Sequence, residues 1–165
     1  MAIKDAFIAE LRHESRLTKK MLEVVPLDKG HWKPHEKSMS LARLATHIAE
    51  ITHWVSRIYR IDDFDFMNYP FKSPKAESQE ELLTIFQSNL DEALNDLALM
   101  NDEDFAKQWT VRRGEEVQFQ TPKKVAIRGW AFSHLIHHRG QLSVYLRLLG
   151  VPVPGMYGPS ADEKM

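Results

Sequence analysis

The chain has 165 residues, 43% hydrophobic and 27% charged, with a formal net charge of -1. These are values of an ordinary globular protein. They predict one domain spanning residues 1–165 and give no reason to expect nucleic acid or an anionic membrane as partner. The absence of cysteine excludes disulfides, cysteine nucleophiles and thiolate ligands from the protein itself, and it suits a cytoplasmic location.

The opening run, MAIKDAFIAELRHES, is amphipathic and charged, whereas a secretory signal needs an unbroken apolar stretch. No run approaches the length of a membrane span. The periodicity instead predicts a helix from about Ile3 to Val25, with Phe7, Leu11, Met21 and Leu22 on its apolar side and Pro26 as its stop. Gly30 and Pro34 mark a loop. A second helix is expected from Ser38 or Ser40, either a suitable N-cap, running unbroken to about Arg60. Leu41, Leu44, Ile48, Ile51, Val55 and Ile58 form its stripe. Residues 61–77 contain Pro70 and Pro74 and read as a long crossover loop, with Phe64, Phe66, Tyr69 and Phe71 placed to cover one end of the molecule.

A third helix is expected from the capping-box pattern Ser78 to Glu81 to about Asn101. Trp109 to Arg112 and Val117 to Gln120 alternate polar and apolar around a glycine turn, which predicts a short hairpin. The last helix should start with Thr121 as N-cap and Pro122 as first helical residue, and end near Leu149 with Gly150 as the stop. The Pro- and Gly-rich tail should pack without regular structure. Four amphipathic helices with two longer connections predict an all-α fold, a four-helix bundle with a long crossover and a short hairpin or loop before the last helix.

Eight histidines are more than such a composition requires. His134 and His138 lie in the apolar stripe of the last helix, four residues apart, which sets their Cβ atoms roughly 5–6 Å from each other on one face. His47 lies at the edge of the second helix's stripe, one turn after Leu44 and one turn before Ile51. Three neutral imidazoles and an open position make a catalytic-type metal site. The plain alternative is that each histidine is a hydrogen-bonded core residue, since H-x-x-x-H here lacks the glutamate of H-E-x-x-H. The metal reading gains from the fact that two imidazoles in one buried stripe need partners for their nitrogens. His137 points off the stripe. His13, His31, His35 and His53 read as surface or loop groups. Glu50, Arg139 and Arg147 read as solvated, and Gln141 and Tyr145 as packing or capping residues near the site. Trp54 and Trp130 read as core or pocket wall.

The runs HLIHHRGQLSVYLRLLGVPVP and MYGPSADE resemble the C-terminal signature of the DinB family, the DinB/YfiT-like bundle proteins inferred to be metalloenzymes. The run LATHIAEITHW resembles that family's looser first-ligand motif. The resemblance spans the whole chain in layout. It implies a bundle holding one divalent metal ion through His47, His134 and His138. Nickel or zinc is the implied metal; imidazole also suits manganese, cobalt or iron. The resemblance further implies a homodimer and a small-molecule substrate. Related proteins use bacillithiol, mycothiol or glutathione, so the implied activity is a thiol-dependent S-transfer in which the metal activates a low-molecular-weight thiol. Two alternatives stand beside it: a metal-dependent hydrolase using metal-activated water, and a non-enzymatic metal-binding or stress-response protein.

Overall fold

The computed structural model describes residues 2–69 and 75–163; Pro70, Phe71 and Pro74 lie outside them. Helix α1 (Ile3–Glu23) ends two residues before the expected Val25, and buries Phe7, Leu11, Leu17, Met21 and Leu22. Helix α2 (Leu41–Ile51) starts on Ser40, whose hydroxyl accepts from the Arg43 N–H. Of the two expected caps, Ser40 is therefore the one used.

The second helix is not continuous. Its hydrogen-bond ladder is interrupted at Thr52 and His53, and α3 (Trp54–Arg60) follows. No proline or glycine causes this. The Asn89 side-chain amide, from another helix, donates to the Ala49 carbonyl at 3.1 Å. That carbonyl would otherwise take the His53 N–H. The His53 N–H turns to Glu50 and the Val55 N–H to Thr52, both three residues back, so the chain tightens by one turn.

Residues 63–65 were expected to be loop and are strand β1 (Asp63–Asp65). Helix α4 (Gln79–Leu99) follows, capped by Ser78. The Glu81 carboxylate reaches past the cap to the Glu77 N–H at 2.8 Å. A short helix α5 (Asp102–Ala106), closed by a reciprocal Asn101–Asp104 capping box, also lay outside the expectation. The hairpin is present as β2 (Gln108–Arg113) and β3 (Glu116–Pro122), antiparallel with Val111 opposite Phe119. Its turn uses Gly114 at φ 63°, a conformation that costs glycine little. β1 adds to β2 in parallel, Phe64 opposite Val111, which gives a three-stranded sheet ordered β1-β2-β3. The molecule is thus mostly helical with a small sheet, and the all-α expectation is corrected by strands whose pairing joins residues almost fifty apart.

The final helical arm comprises α6 (Lys123–Ile127), a π-helical segment (Arg128–Ser133) and α7 (His134–Leu148). Thr121 does not cap it: Thr121 pairs with Trp109 in the sheet, and the helix begins one residue later than expected. At the other end Gly150 has φ 71°. The Gly150 N–H bonds to Arg147 and the Val151 N–H to Leu146, the paired bonds of a Schellman motif.

Helix α4 packs on α1, α2 and α3, and α7 packs on α1 and α2. Leu11, Met21, Leu44, Ile48, Phe86, Leu97, Leu135, Leu142 and Leu146 lie between them. No helix among the described residues is long and apolar enough to cross a membrane. An aromatic cluster locks the sheet to the final arm. The Trp130 ring meets Trp54 at 4.8 Å and Trp109 at 5.3 Å between centroids, both edge-on. Each such pair contributes about 0.5–1.5 kcal/mol beyond its buried area. Phe64 belongs to this cluster and is almost fully buried, whereas Phe66 and Phe119 are exposed members.

Candidate metal centre

Helices α2 and α7 lie side by side, and their contact brings His47 against His134 and His138. The Nε2 atom of His134 is 3.3 Å from Nε2 of His47 and 2.9 Å from Nε2 of His138. One ligand atom from each of the three rings can be chosen so that all lie within 4.8 Å of one another. They are the one such group among the described residues. The rings stand edge to face or tilted, with centroids 4.6–5.0 Å apart.

With the Gln141 amide oriented as it is, the Nδ1 contacts favour one placement of the hydrogens. The His138 Nδ1 is 2.7 Å from the Gln141 Oε1, and the His134 Nδ1 is 3.2 Å from the Trp130 carbonyl. Both partners are acceptors, so each Nδ1 donates and each Nε2 carries a bare lone pair. Two bare lone pairs then face each other at 2.9 Å. A shared cation relieves this conflict. Imidazole nitrogens bound to one ion at about 2.0–2.1 Å stand roughly 2.8–3.4 Å from one another, which matches the two Nε2 separations. The donor set therefore fits a divalent ion. With two or three imidazoles from the protein, it also leaves coordination positions open.

The His134 contact depends on the π-helical segment. In an α-helix the Trp130 carbonyl would accept the backbone N–H of His134. Here that N–H bonds to Gly129, five residues back, and to Ala131. The Trp130 carbonyl is thereby open to the His134 ring. Inserted π-turns recur at functional sites for this kind of reason, because they redirect one side chain and release one backbone group.

Electrostatics favour neutral, ligating rings. Burial, reinforced by the adjoining His138 and His134 rings and the Arg43 guanidinium, lowers His47 to about 3. Burial likewise lowers His134, against the opposing pull of its bond to the Trp130 carbonyl. Burial lowers His138, opposed by its bond to Gln141. Beside the cluster lies a shallow pocket of about 500 Å³, lined by Gly129, Trp130, Ser133, His134 and His137. It offers an open approach to His134.

The other sequence candidates sort as follows. His137 is exposed and off the cluster, as expected, with its Nε2 3.0 Å from the Gln141 amide nitrogen. His13, His31 and His35 are exposed, and His53 is bonded to Glu92 at 2.9 Å. Glu50 is not solvated: it is half-buried against Arg43 at 3.3 Å, and burial raises its pKa. Arg139 is not solvated either. It is 2% exposed and bonded to Glu14 at 2.6 Å, whereas Arg147 is exposed and paired with Asp162 at 2.5 Å. Tyr145 packs in the core and donates to the Met39 carbonyl. Trp54 is core, and Trp130 is both core and pocket wall. The pairing of Gln141 with His138 is only faintly marked in the sequence. The available signal was its spacing, three residues after His138 and four after His137. The role of the Trp130 carbonyl had no sequence signal.

A mostly helical chain with a three-imidazole cluster able to hold a metal ion defines the class. Residues 1–164 match the DinB family, and the chain belongs to it. It is 23% identical over 152 residues to the uncharacterized protein YjoA of Bacillus subtilis, covering 91% of this chain and 93% of that one. A 30-residue stretch, 18% of each chain, is 53% identical to the uncharacterized protein YrdA of the same organism. In fold it is similar to the crystal structure of the DinB-like YjoA, with TM-score 0.68 and 19% identity over 90% of this chain and 96% of that one. It is also similar to a DinB-like protein from Bacillus cereus, with TM-score 0.71 and 22% identity over 94% and 98%.

Proposed function

We propose that this chain is a single-domain four-helix-bundle metalloprotein that binds one divalent ion through His47, His134 and His138, and that it catalyses transfer to a low-molecular-weight thiol. The observation that carries the metal reading is the pair of Nε2 atoms held 2.9 Å apart, with both Nδ1 atoms facing acceptor oxygens. Nickel or zinc suits three neutral imidazoles, and the softer thiol ligand favours zinc or nickel over manganese. A bound ion supplies Lewis acidity, lowering the pKa of a thiol or water that shares its open position. The chain's own residues hold the ion, and Trp130, Ser133 and His137 line the approach. In the transfer, a new sulfur–carbon bond forms, the electrophile's leaving group departs with its electron pair, and the thiol proton passes to solvent. A cytoplasmic setting, rich in such thiols and reducing, accords with the cysteine-free chain. Exposed Phe66, Met67, Val117 and Phe119 around the hairpin support a homodimer.

The test begins with the metal content of protein purified without a histidine tag. One equivalent is expected, lost alike in His47→Ala, His134→Ala and His138→Ala. Full metal retention in any one of these variants overturns the ligand set. The loaded protein is then mixed with monochlorobimane and a panel of bacillithiol, mycothiol and glutathione. Metal-dependent conjugation with one thiol is expected. Its absence with all three overturns the transferase reading. Hydrolysis of activated esters by the same sample would then favour metal-activated water, and neither activity would favour a non-enzymatic metal-binding or stress-response role.

A further inference from the structure

The four polar groups His134, His137, His138 and Gln141 follow the i, i+3, i+4, i+7 spacing of one face of α7. Gln141 is the last of them along the helix and is exposed. An exposed glutamine on a helix is ordinarily free to turn in water. This one is engaged at both ends of its amide. Its Oε1 is 2.7 Å from the Nδ1 of His138, and its Nε2 is 3.0 Å from the Nε2 of His137.

We propose that Gln141 is a positioning residue that sets the His138 tautomer for metal binding and is itself held in the required orientation by His137. This role rests on the metal-binding reading above and extends the site outward by one side chain. For His138 to present a bare Nε2 to the other two rings, its hydrogen must sit on Nδ1. Gln141 Oε1 accepts that hydrogen. An amide can also turn over, however, and the NH₂ would then face Nδ1 and favour hydrogen on Nε2, the nitrogen needed for the ion. His137 opposes the turn when its own hydrogen sits on Nδ1: its Nε2 then accepts from the Gln141 NH₂, and turning over would leave an oxygen facing a lone pair. A residue four positions from His137 and three from His138 can bridge both rings across a single turn.

The two α7 ligands are thus oriented by different means. His134 uses a backbone carbonyl, released by the π-helical segment, which no single side-chain substitution removes. His138 uses a side chain, which substitution can probe. Outer contacts of this kind typically alter metal affinity by about 10–100-fold.

The experiment compares the full-length wild type with Gln141→Leu and Gln141→Glu. Leucine is a good helix former at an exposed position, and thermal melts of the metal-free proteins check that the fold is retained. Zinc affinity is measured by competition with a chromophoric chelator. Gln141→Leu should bind zinc about 10–100-fold more weakly, whereas Gln141→Glu, whose carboxylate still accepts from Nδ1, should stay within a few-fold of wild type. In parallel, ¹⁵N spectra of the imidazole rings in the metal-free proteins report the tautomer. His138 should carry hydrogen on Nδ1 in the wild type and in Gln141→Glu, and lose that preference in Gln141→Leu. Equal zinc affinity and equal ring spectra for wild type and Gln141→Leu overturn the assignment while leaving the metal site standing. If the wild type binds no zinc, the metal reading falls, and the ring spectra alone decide whether Gln141 sets the His138 tautomer.

Discussion

Two polar clusters meet on adjacent residues of α7 and have opposite chemistry. His138 faces α2 and joins the imidazole group. Arg139 faces α1 and is 2% exposed, beside Glu14 at 5%. The Arg139 guanidinium donates to the Glu14 carboxylate at 2.6 Å, to the Glu14 carbonyl at 2.9 Å and to the Thr18 hydroxyl at 3.1 Å. The Tyr157 hydroxyl, from the tail, donates to the same carboxylate at 2.8 Å. Here charge and hydrogen bonds close within the chain. In the histidine cluster they do not, because the inward nitrogens face one another. Burial of polar groups is common to both. What marks the histidines as a candidate site is valence that the protein itself leaves unfinished.

The comparison breaks most sharply with the ligands. His134→Ala or His138→Ala should abolish stoichiometric zinc binding while leaving the metal-free fold intact, read by elemental analysis beside circular dichroism. Arg139→Ala should do the reverse. It strands a buried carboxylate and should cost about 3–5 kcal/mol of stability, measured by urea unfolding, with the ligand atoms left in place. Zinc binding lost in folded Arg139→Ala at low temperature would show that the two clusters are not separate.

A smaller effect distinguishes the clusters by pH. An imidazole whose folded value is depressed binds fewer protons folded than unfolded. Its contribution to stability is complete above the unfolded value near 6.5 and is lost as pH falls toward the folded value, which for His47 is about 3. The metal-free protein should therefore melt progressively lower between pH 7 and pH 5. The slope should flatten in His47→Phe, which lacks the group; an unchanged slope would place the titration elsewhere. The smallest effect belongs to Tyr157→Phe. It removes one hydroxyl from a network that keeps its ion pair, and should cost about 0.5–1.5 kcal/mol with no change in zinc affinity.

The apolar periodicity of the sequence determined where the long helices lie, because helical spacing and burial are local consequences of residue order. Ser40, Ser78, Gly114 and Gly150 were legible for the same reason: a cap or a positive φ is a property of a few neighbouring residues. The four-residue spacing of His134 and His138 determined that the two rings share a face, and the stripe of α2 placed His47 near the edge facing inward. Contacts between distant segments decided the rest. The Asn89 amide ended α2 by taking the Ala49 carbonyl, and β1 formed because β2 offered it an edge. The burial of Arg139 required Glu14, 125 positions away, as its partner. The π-helical segment let the His134 ring reach the Trp130 carbonyl, and the shared Gln141 amide oriented His138. A hydrogen bond is decided by direction as well as by proximity. Sequence spacing supplies proximity along one helix, and the packed tertiary structure supplies the direction.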